Sequence, residues 1–343
     1  MGFKPRRAPR ASITTLAPEW RTWVVDNLFD DFPPATLVAR LIEHGVPRAI
    51  AAREVSAIVE SPALDACAAY RDRIARLELI ARLDRTMLRE APQPDAVERR
   101  ARVDADELYS RYWATRTPVV LTEMTAGWPA RDWTLDSLAA RFGDAEVEAC
   151  VGRSTDLAPD MNWRGHTRAM PLAELIERVT AAGISNDVYL IANNRAMERA
   201  ALTGLLDDID PDPAVFAPGQ LTGATSLWIG PGGTVTPLHH DTTNIAFNQF
   251  VGRKRFRLIP PSETRLLAGA HGFYARARLD DLELDDLHAK EVVLAPGETL
   301  FLPAGWWHEV EALEPSVSFS LLAFRRDNRY DWYRPGFPVG ASE

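Results

Sequence analysis

Between about residues 17 and 92, apolar positions return at three- and four-residue steps. In PRAIAAREVSAIVES, Ile50, Val55, Ile58 and Val59 recur at helical spacing, and Pro47 stands early, where a first-turn proline is tolerated. From about Pro62 to Leu88 the same steps carry Tyr70, Ile74, Leu77, Ile80 and Leu83, with Arg, Asp and Glu in the other positions, which predicts an amphipathic helix. No residue here has a catalytic character. The stretch reads as a helical cap on the main domain, with an oligomerisation or substrate-docking module as the alternative.

Two prolines in APQPDAVERR break the helical pattern and set the expected boundary: a helical region over 1–95 and a second domain over 96–343. A short helix from about Ala105 to Thr115 leads into PVVLTEM, whose β-branched run predicts a strand. MPLAELIERV predicts a helix, and DVYLIANN a strand containing Tyr189. From about Gly219 short β-rich runs alternate with Gly and Pro: ATSLWIG, PGGTVTP, NIAFNQFVG, KRFRLIPP, KEVVLAPGETLFLPAG, SVSFSLLAF. Many short strands separated by turn signals predict a sandwich or barrel, so the chain is mainly β with helices, α+β in class.

Composition narrows the function. The chain has 39 Lys and Arg against 48 Asp and Glu, a net charge of −9, which argues against a general nucleic-acid binder. Its two cysteines, Cys67 and Cys150, are too few for a disulfide framework or a cysteine-based zinc site. No apolar run approaches the ~18 residues that span a bilayer. The basic start, MGFKPRRAPRAS, has no hydrophobic segment after it and does not read as a secretory signal. A cytoplasmic protein with a solvated, disordered basic arm and no membrane partner is the expectation.

The histidines carry the chemistry. His239, His240 and Asp241 lie together in TPLHHDTTN, and His308 lies in LPAGWWHEV. On an extended backbone residues i and i+2 face the same way, so His239 and Asp241 point together and His240 points away. A third ligand from His308 completes two histidines and a carboxylate, a facial set that leaves positions open on iron(II). In GRKRFRLIPP, alternation puts Lys254 among Gly252, Phe256 and Leu258, with Arg253, Arg255 and Arg257 on the other, solvated face. A lysine among inward apolar neighbours is costly without an anion, which makes Lys254 the candidate for a buried carboxylate. Trp306 and Trp307 divide, in expectation, into one core residue and one on the pocket wall. The acidic RLDDLELDDLHAKE reads as a solvated loop, or as a rim attracting a cationic substrate.

GQLTGATSLWIGPGGTVTPLHHDTTNIAFNQFVGRKRFRLIPP resembles the core of the JmjC or cupin-8 family of 2-oxoglutarate-dependent oxygenases, in texture the asparaginyl hydroxylases. PGETLFLPAGWWHEV resembles the family's second metal segment, and RTPVVLTEMTAGWPARDW its lead-in strand and turn. The resemblance covers roughly residues 105–325 and implies a double-stranded β-helix (jelly-roll, cupin-like) core. It implies His239, Asp241 and His308 as Fe(II) ligands. It also implies that Lys254, Thr236 and Tyr189 hold the distal carboxylate of 2-oxoglutarate, and that Asn244 lines the site. One departure stands out: related hydroxylases carry an asparagine in the last core strand, where this chain has Leu322 and Ala323.

The activity so implied is a dioxygenase that consumes O2 and 2-oxoglutarate, releases succinate and CO2, and hydroxylates a C–H bond. A peptide or protein side chain is the favoured substrate, a small molecule or natural product the alternative, and demethylation a minor variant. A non-catalytic cupin-like binding module is the competing class. The N-terminal helices are a candidate homodimer contact.

Overall fold

The computed structural model describes residues 14–90, 95–156, 158–192, 196–267, 273–275, 279–282 and 287–330. The basic start, His271 and positions 278 and 283–286 of the acidic loop lie outside the described residues. The chain divides into two compact units, Met1–Ala81 and Arg82–Glu343.

In the first unit, α1 (Pro18–Phe29), α2 (Pro34–Glu43) and α3 (Arg48–Val59) pack around Val24, Leu37, Leu41, Ala51 and Val55. Proline opens α1 and α2, where its missing N–H costs nothing. Gly45, at φ +88°, turns the chain between α2 and α3 in a conformation that other residues resist. The next helix, α4 (Pro62–Arg89), runs for 28 residues and has no buried residue among those described. The division between the units falls inside it. Pro92 and Pro94, on which the expected boundary rests, lie outside the described residues.

The second unit is built on two sheets. One has the order β1-β2-β11-β8-β13-β6: β1 (Glu98–Arg100), β2 (Val119–Leu121), β6 (Thr225–Gly230), β8 (Ile245–Val251), β11 (Thr299–Leu302) and β13 (Ser316–Leu321). The other has the order β10-β9-β12-β7: β7 (Val235–His239), β9 (Lys254–Ile259), β10 (Lys290–Leu294) and β12 (Trp307–Ala312). Both sheets contribute to one apolar cluster: Phe247, Leu300 and Leu302 from the first meet Phe256, Leu258 and Val310 from the second. This is the cupin-like core that the resemblance implies. A third, small sheet joins β3 (Glu146–Val151) to β4 (Thr167–Pro171) and β5 (Val188–Tyr189).

Sequence pattern explains most of this. β13 is buried along its whole length, with Val317, Phe319 and Leu321 packed into an apolar cluster, and each large side chain it buries contributes roughly 1.5–3 kcal/mol. β9 alternates as expected, with Lys254, Phe256 and Leu258 buried. Its outward arginines are not simply solvated: Arg255 pairs with Glu311 and Arg257 with Glu309 on neighbouring β12, a cross-strand ladder of opposite charges. Charged ERR forms β1, a strand the pattern did not suggest, because an edge position tolerates charge on both faces. The predicted helix from Ala105 is present, as an α-helical turn over Ala105–Glu107 that continues as a π-helix over Leu108–Trp113. Of DVYLIANN, Val188–Tyr189 pair with β3, and Leu190 bridges to Ile229 of β6. Among the described residues no helix is long and apolar enough to cross a membrane.

Candidate metal and carboxylate site

β7 and β12 are antiparallel neighbours, and their pairing sets His308 directly opposite His239. Residues far apart in sequence thus become cross-strand partners, with imidazole centroids 4.1 Å apart. Asp241 follows two positions beyond His239. Its Oδ2 lies 3.5 Å from His308 Nε2 and 4.0 Å from His239 Nε2. One ligand atom from each residue falls within 4.8 Å of the others.

The backbone sets the ring orientations. His239 Nδ1 lies 2.7 Å from the Pro237 carbonyl oxygen, and His308 Nδ1 lies 2.9 Å from that of Trp306. A carbonyl can only accept, so Nδ1 carries the proton and Nε2 presents its lone pair to the cluster. Burial, reinforced by His239, holds His308 well below the usual imidazole range, so it is neutral, the form that ligates a metal. The donor set of two imidazole nitrogens and a carboxylate suits iron(II).

These three residues line a cavity of about 550 Å³ together with Thr236 and Tyr189. Behind Tyr189 lies Lys254, fully buried, its Nζ 3.2 Å from the tyrosine hydroxyl. The rings of Phe247, Tyr189 and Trp228 surround the ammonium at 5.3, 5.4 and 5.8 Å. Among the described residues no carboxylate pairs with it, and burial lowers it from 10.5 to about 7. Burial raises Tyr189 to about 12, an effect that Thr236 partly offsets. The tyrosine ring has space because position 230 is glycine, where a Cβ would stand 2.7 Å from Tyr189 Cδ2.

A second buried charge supports this wall. Arg153 stacks 5.2 Å from the Tyr189 ring and donates from Nη2 to Asp160 at 2.8 Å and to the Val235 carbonyl at 3.1 Å. Asp160 itself lines the cavity, and burial raises its carboxyl against the pull of Arg153.

Asn244 stands apart from this group. Its Nδ2 and backbone N–H both donate to Asn328 Oδ1, and its own Oδ1 accepts from the Ala304 N–H. The amide is committed to tying the loop after Asp241 to the turn before His308. Neither tryptophan of the WWH segment is among the residues lining the metal cavity. Trp306 donates to the Arg116 carbonyl within the inter-sheet core, and Trp307 packs edge-on against the buried His240. Just past the last core strand Leu322 reaches the cavity wall, and within the strand Ser320 supplies a polar group, accepting from Trp228 Nε1 at 3.3 Å.

The sequence reading missed Ser320, Asp160 and Tyr274, all of which line the cavity. The alternation of SVSFSLL puts Ser318, Ser320 and Leu322 on one face, a signal that could have found the first. Asp160 and Tyr274 come from irregular segments, and no local pattern marks them.

A family model described as a cupin-like domain matches residues 105–322. The chain is 31% identical over 239 residues to lysine-specific demethylase JMJ30 of Arabidopsis thaliana, covering 65% of this chain and 54% of that protein. It is 29% identical over 221 residues to lysine-specific demethylase 8 of Danio rerio, covering 60% and 52%. It is 29% identical over 224 residues to HSPB1-associated protein 1 of Bos taurus, covering 58% and 46%. The chain thus spans about half the length of the curated relatives it matches. With a cupin-like match over most of its length, on a fold that sets two histidines and an aspartate around one cavity, the chain belongs to the cupin-like JmjC family of Fe(II)- and 2-oxoglutarate-dependent oxygenases.

Proposed function

We propose that this chain hydroxylates a C–H bond on a peptide or protein side chain, using Fe(II), O2 and 2-oxoglutarate. The observation that carries the reading is Lys254: a buried ammonium without a carboxylate partner among the described residues, beside the cavity that holds the His239–Asp241–His308 cluster. A buried cation needs an anion, and a dicarboxylate reaching from the metal to Lys254 supplies one. In this reading Fe(II) is held by Nε2 of both histidines and by the Asp241 carboxylate. Lys254, Tyr189 and Thr236 hold the distal carboxylate of 2-oxoglutarate. When bound, iron and 2-oxoglutarate reduce O2, one oxygen atom leaving in succinate beside CO2 and the other entering the substrate.

The chain's own contribution is positioning and exclusion of water. The carbonyls of Pro237 and Trp306 fix the two imidazoles, and Arg153 and Gly230 fix the Tyr189 ring. A cavity of about 550 Å³ has room for the oxo acid and one side chain together. The names of two relatives favour a second reading, in which the attacked carbon is an N-methyl group of lysine and the hydroxylated product releases formaldehyde.

One assay tests both. Full-length protein with Fe(II) and 2-oxoglutarate is expected to form succinate, and a peptide library read by mass spectrometry is expected to gain one oxygen. Stoichiometric formaldehyde from methyl-lysine peptides would select the second reading. Succinate formation by Asp241→Ala at the parent rate would overturn both.

A further inference from the structure

α4 exposes an apolar stripe: Tyr70, Ile74, Leu77, Ile80, Leu83 and Met87 are each between 53% and 66% exposed. Ordinary surface helices turn such residues into a core, and scattered single exposures need no explanation, but a stripe along one helix does. Its positions follow a heptad. With Tyr70 at a, the seam reads Tyr70, Leu77 and Asp84 at a, and Arg73, Ile80 and Met87 at d, flanked by Ile74 at e and Leu83 at g.

This seam is symmetric about the midpoint between Glu78 and Leu79. Laid against an antiparallel second copy, every a residue meets a d residue of complementary type. Tyr70 faces Met87, Leu77 faces Ile80, and Arg73 faces Asp84, each pairing occurring twice as a two-fold axis requires. The charges choose the direction. A parallel pair in register sets Arg73 on Arg73 and Asp84 on Asp84, which is repulsive, whereas the antiparallel pair sets each on its opposite. Neither residue makes an ion pair within the chain, among the described residues. A partner of unrelated sequence would not call for a self-complementary order of both apolar and charged positions. Over 28 residues the helix extends about 42 Å, enough for each of these layers to form.

We infer that α4 pairs with α4 of a second copy of this chain as an antiparallel, two-fold coiled coil.

Light scattering on the full chain across micromolar concentrations is expected to give twice the mass of 38.2 kDa. Arg73→Asp alone, or Asp84→Arg alone, is expected to weaken association about 100-fold, because like charges then share a layer. The doubly swapped chain, Arg73→Asp with Asp84→Arg, is expected to dimerise again. Leu77→Glu is expected to be monomeric, with circular dichroism confirming that the helices remain. A monomeric parent at all concentrations, a dimer that survives Leu77→Glu, or a double swap that fails to restore association would each overturn the inference.

Discussion

Lys254 Nζ lies 3.2 Å from the Tyr189 hydroxyl inside an aromatic enclosure, and this hydroxyl is the polar contact that the buried ammonium makes among the described residues. A cation so placed is costly by itself, and under the proposed function a carboxylate of 2-oxoglutarate offsets that cost. Lys254→Met is therefore expected to raise the apparent KM for 2-oxoglutarate by at least about 100-fold, through loss of a charge-assisted contact. The same variant, without ligand, is expected to unfold at higher denaturant, by roughly 1–3 kcal/mol. Tyr189→Phe, which removes one hydroxyl, is expected to raise KM by about 10-fold. Steady-state kinetics and urea melts on the same preparations check the pair of effects.

The pH dependence follows from the same lysine. Burial lowers it from 10.5 to about 7, so the folded protein releases this proton near neutrality while the unfolded chain keeps it to higher pH. The unfolded state then binds more protons between about pH 7 and 10.5, and Lys254's contribution makes ligand-free stability rise with pH across that window. A bound dicarboxylate favours the ammonium, so its binding is expected to take up a proton above pH 7 and to weaken as pH climbs. Calorimetry at pH 8 in buffers of different ionisation heat measures the uptake. Zero uptake would count against Lys254 as the anion's partner.

The His239–Asp241–His308 cluster makes a separable prediction. Each histidine is held by a backbone carbonyl, so the site is formed before any ion arrives. Saturating Mn(II), a redox-inert substitute, is expected to stabilise the chain by about 2.7 kcal/mol at 100 times its Kd. Chelator should remove the whole shift. His308→Ala and Asp241→Ala should show little of it, because each loses one of three ligands.

Asn244 is expected to behave as a positioning residue. Asn244→Ala leaves the Ala304 N–H without its acceptor and removes one of the two donors to Asn328 Oδ1, and should cost about 1–3 kcal/mol of stability. Its effect on 2-oxoglutarate KM should be far smaller than that of Lys254→Met, since its amide is already committed. A KM effect as large as that of the lysine variant would instead place Asn244 against the co-substrate.

Local pattern carried a good part of this protein. Period-two alternation identified Lys254 as an inward residue, and the same rule separated His239 and Asp241 from His240, which the fold buries against Trp307. Helical periodicity marked α3 and α4, and the Gly- and Pro-punctuated runs marked the strands of the cupin-like core. These features are legible because each depends on residues a few positions apart, whose relative direction the backbone geometry sets.

What the chain could not declare by itself is who meets whom. That His308 stands opposite His239 follows from the antiparallel register of β12 and β7. The service of Arg255 and Arg257 in an ion-pair ladder depends on which strand lies alongside β9. Asp160 and Tyr274 reach the cavity from irregular segments; Trp306 turns into the cluster between the sheets, and Trp307 packs with Leu266, Leu279 and Leu287 from segments outside both sheets. Such pairings are set by long-range packing and strand register, which no short window of sequence encodes. Sequence alone determined the candidate ligand types, the shared facing of His239 and Asp241, and the inward lysine. Only the tertiary structure decided that His239, Asp241 and His308 converge on one cavity, that Lys254 stands behind Tyr189 in its wall, and which neighbours hold them there.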